Sequence, residues 1–297
     1  MPSAKEAFMA LFKAIPLAPG ANVLVSSCSS DALWEAMEEL ALTPVIREPD
    51  PYTLLLDGSG LGPEDWSRLD AIVITHLYGR PAHLEALMAS ARKFGVFVVE
   101  DASQAHGAEY RGKKIGSFGD AAVFCVRPGR LLADEEGGAV VVSSLPALME
   151  KLSAESTHRF SKQANARLCA RLKGLDERLG RREKVASMYR ERLGSVEGLR
   201  TVLPERQGRH VYYRFVIRVP EAEKVRALLS EKGVDTGGPR FSSVKRGVPL
   251  PLAQAVERET LFLPMGDNLE EKTVDAVVRA VSESLAKVSG SRDPARS

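Results

Sequence analysis

Residues 71–101 read AIVITHLYGRPAHLEALMASARKFGVFVVED, and this stretch decides the fold class. Its ends, AIVITHL and VFVVED, are short runs apolar on both faces, the pattern of strands buried inside a parallel sheet. The middle, AHLEALMASARKFG, carries a helical pattern that stops at Gly95, where a C-cap glycine belongs. The same alternation extends in both directions. NVLVSS from Asn22, YTLLLD from Tyr52, AAVFCV from Ala121 and AVVVSS from Ala139 are further candidate strands, and DALWEAMEELAL from Asp31 is a further helix. Strand, helix, strand, repeated, predicts an α/β fold with a mainly parallel sheet covered on both faces.

The second half reads differently. Residues 157–193 predict one long helix or two consecutive ones. HVYYRFVIRV from His210 alternates like a half-exposed strand, EAEKVRALLSEKG is a helix stopped by Gly233, and NLEEKTVDAVVRAVSESLAKV is a terminal amphipathic helix with acids in its first turn. The expected organisation is a large α/β domain over residues 1–195, a small α+β domain over 196–290 and a tail over 291–297. That tail has nothing apolar to bury and is expected to be disordered.

At 297 residues, two packed units fit the length at which a single core stops growing, roughly 250 to 300 residues. With 44% hydrophobic residues, 27% charged residues and a formal net charge of +2, nothing points to nucleic acid. The densest basic run, RLGRREKVASMYRER from Arg178, has Leu179, Val185, Met188 and Leu193 at helical spacing and reads as the solvated face of an amphipathic helix. Cys28, Cys125 and Cys169 are odd in number and lack paired metal-ligand spacing, so reduced thiols in a cytoplasmic protein are expected rather than disulfides or a metal. FMALFKAIPLA near the start is broken by Lys13 and Pro16 and lacks a cleavage site, and no segment has the apolar length of a membrane span.

HLYGRP from His76, VVEDASQAHGAEYRGKKIGSFGDAAVF from Val98 and EEGGAV from Glu135 stand in the order and spacing of one family. On these motifs the chain resembles the DegT/StrS-type sugar aminotransferases, pyridoxal-phosphate (PLP) enzymes that aminate keto-sugars on nucleotide carriers. PGANVLV, NARLCARLKGLDERLGRREKVASMYRERL and ETLFLPMGDNL extend the resemblance from about residue 7 to about residue 288. It implies the fold-type I PLP transferase architecture, as a homodimer or as a hetero-dimer with an active family member, and a nucleotide-sugar ligand.

The resemblance also places functional residues. Asp101 falls where the family pairs an acid with the pyridinium nitrogen, and Gln104 where it aims at the ring oxygen. The cofactor lysine, aligned through Pro128 and Glu136-Gly137-Gly138, falls on Arg130. A guanidinium stays protonated and offers no amine to an aldehyde, nor can it act as the base that a histidine supplies in the family's dehydratase branch. Lys113 and Lys114 belong to the ordinary YRGKKIG turn. The phosphate-binding turn falls on Ser3-Ala4-Lys5, a serine before the lysine on Cys125, the partner's asparagine on Thr157 with Arg159 matching two residues later, and the ring-stacking aromatic on Ser30, with Trp34 facing the core.

His76, Tyr78 and Arg127 are the candidate substrate contacts. Arg127 and Arg130 suit a diphosphate or carboxylate, or are simply solvated. His76 and His106 are either stand-in bases or structural residues beside strand ends. The connection between Gly138 and Thr157 is short for the family, which implies an altered dimer interface.

Overall fold

The computed structural model describes residues 1–155, 159–202, 207–244 and 248–290. Thr157 and the tail from residue 291 lie outside the described residues. The elements run α1 (Ala4–Ala14), β1 (Asn22–Ser26), α2 (Asp31–Glu39), β2 (Thr43–Arg47), α3 (Pro63–Ser67), β3 (Ala71–Thr75), α4 (Leu84–Phe94), β4 (Phe97–Asp101), β5 (Glu109–Tyr110), β6 (Lys113–Lys114), β7 (Ala121–Cys125) and β8 (Ala139–Ser143). They continue with α5 (Pro146–Glu155), α6 (Lys162–Lys173), α7 (Leu175–Leu193), β9 (Arg200–Thr201), β10 (Gly208–Arg209), β11 (Phe215–Arg218), α8 (Ala222–Glu231), α9 (Pro251–Glu259), β12 (Thr260–Leu263) and α10 (Glu271–Gly290).

The main sheet has six strands in the order β2-β1-β3-β4-β7-β8, parallel except for β8, which pairs antiparallel with β7. The period of two along each strand sends neighbours to opposite faces. Val23, Val25, Val73, Val99 and Val123 pack under α1 and α2, where Phe8, Leu11, Phe12 and Trp34 are buried. Leu24, Ile72, Ile74 and Val98 pack under α4 and the start of α7. Burial of each such side chain contributes about 1.5–3 kcal/mol, so losing either helical layer would strip one whole face of the sheet. The predicted α/β class is therefore the observed one, and α4 ends at Gly95 in the left-handed region (φ 69°) as read.

Several local expectations are corrected. YTLLLD is not a strand: Leu54, Leu55 and Leu56 are buried in irregular backbone, with Leu54 at φ 60°. The strand is TPVIR instead, an edge strand whose Pro44 and partial exposure hide its pattern. HVYYRFVIRV is a strand only over Phe215–Arg218. The helical stretch is two helices divided at Gly174.

A smaller antiparallel sheet, β12-β11-β9, is covered by α8, α10 and the second half of α7. Helix α7 joins two cores: Leu175 and Leu179 belong to the sheet's helical layer, whereas Val185, Tyr189 and Leu193 belong to the smaller unit. Among the described residues no helix is long and apolar enough to cross a membrane, and no cluster of His, Cys, Asp and Glu could hold a metal ion.

Candidate functional site

The chain passes from β1 to β2 on one side of the sheet and then crosses to β3 on the other. Such a reversal leaves a crevice at the carboxyl ends of the strands, where α/β proteins place ligands. Here the ends of β1 and β3 are tied by a hydrogen bond of 3.2 Å between the hydroxyls of Ser29 and Thr75. One strand further, the Ser30 hydroxyl points to Asp101 Oδ2 at 3.4 Å, while Asp101 Oδ1 accepts the Ser103 amide at 3.1 Å. Asp101 is a carboxylate 1% exposed at the end of β4.

Gln104 stands beside it, with Oε1 accepting the Tyr78 amide at 2.9 Å. Tyr78 itself adopts a left-handed conformation (φ 59°) and turns its ring into an apolar cluster, edge-on to Phe262. Its hydroxyl is buried without a hydrogen bond, and burial raises its pKa. Tyr78, a candidate substrate contact by its sequence, thus has its ring packed within this cluster.

His76, the other candidate contact on this segment, lies two residues before it. It is fully buried; Nδ1 accepts the Ala82 amide at 3.0 Å, which leaves Nε2 to donate to Glu100 at 3.1 Å. Glu100 also accepts the amides of Gly116, Phe118 and Gly119 at 2.7–2.8 Å. Burial pushes that carboxyl up, but His76 and these amides outweigh it and hold its pKa below the usual range. The pair organises the turn after β6 and leaves no ring edge for a ligand.

The loop between β7 and β8 is closed by its own backbone. Val126 donates to Gly138 O at 2.9 Å, Asp134 to Val126 O at 2.8 Å and Gly137 to Asp134 O at 3.1 Å. From outside, a row of arginines on α6 and α7 holds it. Arg167 grips the buried Asp134 through both oxygens at 2.7 and 2.8 Å, Arg171 donates to Ala133 O, and Arg178 to Leu131 O at 2.6 Å. The fork geometry of guanidinium suits both tasks, and Arg167 holds the Asp134 pKa down at about 2.

Within this frame Cys125 is buried, its thiol donating to Gly138 O at 3.6 Å. Arg127 is exposed. Arg159 is exposed and donates to Ser153 O at 3.4 Å. Arg130 sits half-buried over the Tyr213 ring, 5.1 Å from its centroid.

Arg130 stands at the position that the resemblance assigns to the cofactor lysine. No lysine occurs between Lys114 and Lys151. Lys113 lies over the Phe118 ring and Lys114 pairs with Glu109 at 2.7 Å, both on the exposed β6. The N-terminus of α1 is closed by Ser3, which accepts the Glu6 amide at 3.2 Å and donates to the Glu6 carboxylate at 2.8 Å. A carboxylate thus occupies the first turn, where a phosphate would need positive potential.

Two features went unread in the sequence. Arg182, read as part of a solvated face, is 9% exposed and donates to the carbonyls of Tyr212 and Tyr213. Its spacing from Leu179, Val185 and Tyr189 puts it on the buried stripe of α7, and that spacing was the available signal. His106 is 3% exposed, and neither ring nitrogen has a hydrogen bond of normal geometry. Burial first, then the charges of Arg130 and Arg178, push its pKa down to about 4.

Comparison with known proteins gives a consistent picture. The model of the DegT/DnrJ/EryC1/StrS aminotransferase family matches residues 1–168 and 156–282. The chain is 30% identical over 311 residues to dTDP-3-amino-3,4,6-trideoxy-alpha-D-glucose transaminase of Streptomyces venezuelae, covering 96% of this chain and 82% of that protein. It is 29% identical over 303 residues to GDP-perosamine synthase of Caulobacter vibrioides, covering 92% and 81%. The X-ray structure of S. venezuelae DesV in complex with a ketimine intermediate superposes with a TM-score of 0.84 at 30% identity, over 95% of this chain and 83% of that one.

Proposed function

Because the chain belongs to the DegT/DnrJ/EryC1/StrS aminotransferase family, we propose that it is a divergent member, associated with nucleotide-sugar or surface-polysaccharide biosynthesis, that does not form the PLP imine itself. It acts as a non-catalytic partner or as a ligand-binding protein of that pathway. The observation that carries this reading is the loop from Val126 to Gly138, complete in its backbone and clamped by Arg167, Arg171 and Arg178, yet presenting Arg130 instead of an amine. The self-capped N-terminus of α1 and the serine at position 30 support it, since neither offers phosphate binding or ring stacking.

The test is titration of the purified chain with PLP, followed by absorbance spectroscopy and by borohydride trapping with mass spectrometry. The expected result is no imine band and no lysine adduct. Transamination of a nucleotide keto-sugar by the purified chain alone overturns the proposal.

A second reading draws on Asp101, a buried acid one strand from the strand-order reversal, whose Oδ2 is met at long range by the Ser30 hydroxyl. In that reading an active family member in a hetero-dimer supplies the missing amine and phosphate contacts. Co-purification from the source organism with a second family member distinguishes it from a homodimer.

A further inference from the structure

Beyond that reading, and independently of PLP, we infer that Arg130, Arg178, Arg182 and Arg214 form a binding site for a single phosphoryl group, around a cavity of about 140 Å³. Three separate parts of the chain supply these side chains. Arg130 comes from the β7–β8 loop, Arg178 and Arg182 stand one turn apart on the first half of α7, and Arg214 directly precedes β11. The cavity therefore lies where the two cores meet along α7, the kind of junction at which ligand sites concentrate.

Charge is the first reason. Against these guanidinium groups the lining contains one carboxylate, Asp267. Its Oδ2 lies 4.0 Å from Arg178 Nε and 3.9 Å from the Arg181 guanidinium, ion-pair distances too long for hydrogen bonds. One loosely placed carboxylate leaves the pocket strongly positive, and a concave positive site with low-dielectric walls concentrates anions.

Orphaned donors are the second reason. The Nε groups of Arg130 and Arg178 are buried and make no hydrogen bond. Each is a buried, charged donor without an acceptor, and an anion in the cavity would supply one. Arg182 feels the same field: burial, with Arg214 and Arg178 adding to it against Asp267, lowers its pKa to about 10.

Preset geometry is the third. The guanidinium carbons of Arg130 and Arg214 lie 5.1 and 5.0 Å from the centroid of the Tyr213 ring, so one aromatic side chain restrains both groups. Arg182 is held by the carbonyls of Tyr212 and Tyr213. Guanidinium forks recognise phosphoryl oxygens in pairs, and a dianion offsets more of the excess charge than a carboxylate does. Size limits the ligand: this cavity is well below the roughly 300 Å³ of pockets that enclose a whole organic ligand. The site takes one phosphoryl group, either free phosphate or the end of a nucleoside diphosphate.

The experiment is calorimetric titration of the full chain, at constant ionic strength set with sodium chloride, with inorganic phosphate and separately with thymidine diphosphate. The expected result is saturable one-to-one binding of at least one of them. Affinity should fall about 10- to 100-fold in Arg130→Met and again in Arg130→Met/Arg214→Met. Both variants should melt at or above the parent temperature, because like charges have been removed. Binding of inorganic phosphate identifies free phosphate as sufficient; binding of thymidine diphosphate alone assigns the site to a nucleotide's phosphates. Absence of binding by both, or binding unchanged in the two variants, overturns the inference.

Discussion

The hydroxyl of Ser30 lies 3.4 Å from Asp101 Oδ2, bridging the first turn after β1 to the end of β4. An acid 1% exposed is thus held by one amide and one long hydroxyl contact. Asp101→Ala leaves the Ser103 amide without its acceptor and should cost about 2 kcal/mol by urea unfolding, while Ser30→Ala, which removes only the long contact, should cost about 0.5 kcal/mol or less. Equal losses in the two variants would mean that the Ser30 contact is the stronger of the pair.

Glu100→Gln should be among the more damaging single changes in the sheet. It replaces an acceptor of three amides and the His76 Nε2–H with a group that must turn a donor towards some of them. Leaving a buried amide without its acceptor costs about 1–3 kcal/mol, and the change disturbs several such bonds at once. Because the Glu100 pKa is depressed, its contribution is full above the ordinary carboxylate range and fades as pH falls through the lowered value. Urea midpoints of parent and variant at neutral pH check the magnitude.

Buried histidines set a second pH response at milder acidity. His106 has a pKa of about 4 and His210 of about 3, both held down first by burial. The unfolded chain takes up these protons near pH 6.5 and the folded chain does not, so stability is full above pH 6.5 and declines below it. For His106 alone the loss between pH 7 and pH 5 is about 2 kcal/mol. His106→Phe should remove that share of the slope while leaving the share due to His210.

Gly79 marks a close backbone crossing. It has φ 90°, its carbonyl accepts the Val211 amide at 2.9 Å, and a Cβ there would sit 2.8 Å from both Tyr213 N and Val211 Cγ2. Gly79→Ala should destabilise by about 2 kcal/mol or more, through backbone strain and displacement of residues 211–213. Gly95→Ala, also at a positive φ (69°) but with open space around it, should cost less, chiefly the left-handed backbone penalty. Thermal melts of the two variants make the comparison.

Removal of Arg167 tests the loop clamp. Arg167→Met leaves the buried Asp134 carboxylate without its bidentate partner. Limited proteolysis should then cut between Val126 and Gly138 faster than in the parent, and Arg167→Met/Asp134→Asn should recover part of the protection.

What could be read beforehand follows from how local each signal is. Strands β1, β3, β4 and β7 announce themselves because buried parallel strands are short, apolar runs between turns, and antiparallel β8 shares that apolar run. Strand β2 does not, because Pro44 and an edge position dilute its pattern; YTLLLD satisfies the same apolar criterion yet is buried as a loop. The position of Asp101 at the end of β4 was legible because the run VFVVED ends on it. The grip of α6 and α7 on the β7–β8 loop was not, since its contacts join residues 33 to 47 positions apart. Arg182 was concealed by its neighbours: among so many basic residues, one on the apolar stripe looks like the rest.

The clamp on that loop has an evolutionary consequence. Its backbone bonds, the Asp134–Arg167 pair and the two arginine-to-carbonyl contacts hold residues 126–138 without using the side chain at position 130. Selection for foldedness and selection for chemistry therefore act on different residues of one loop. Position 130 can drift without unfolding the protein, and a single codon there is free to be rewritten for a new ligand.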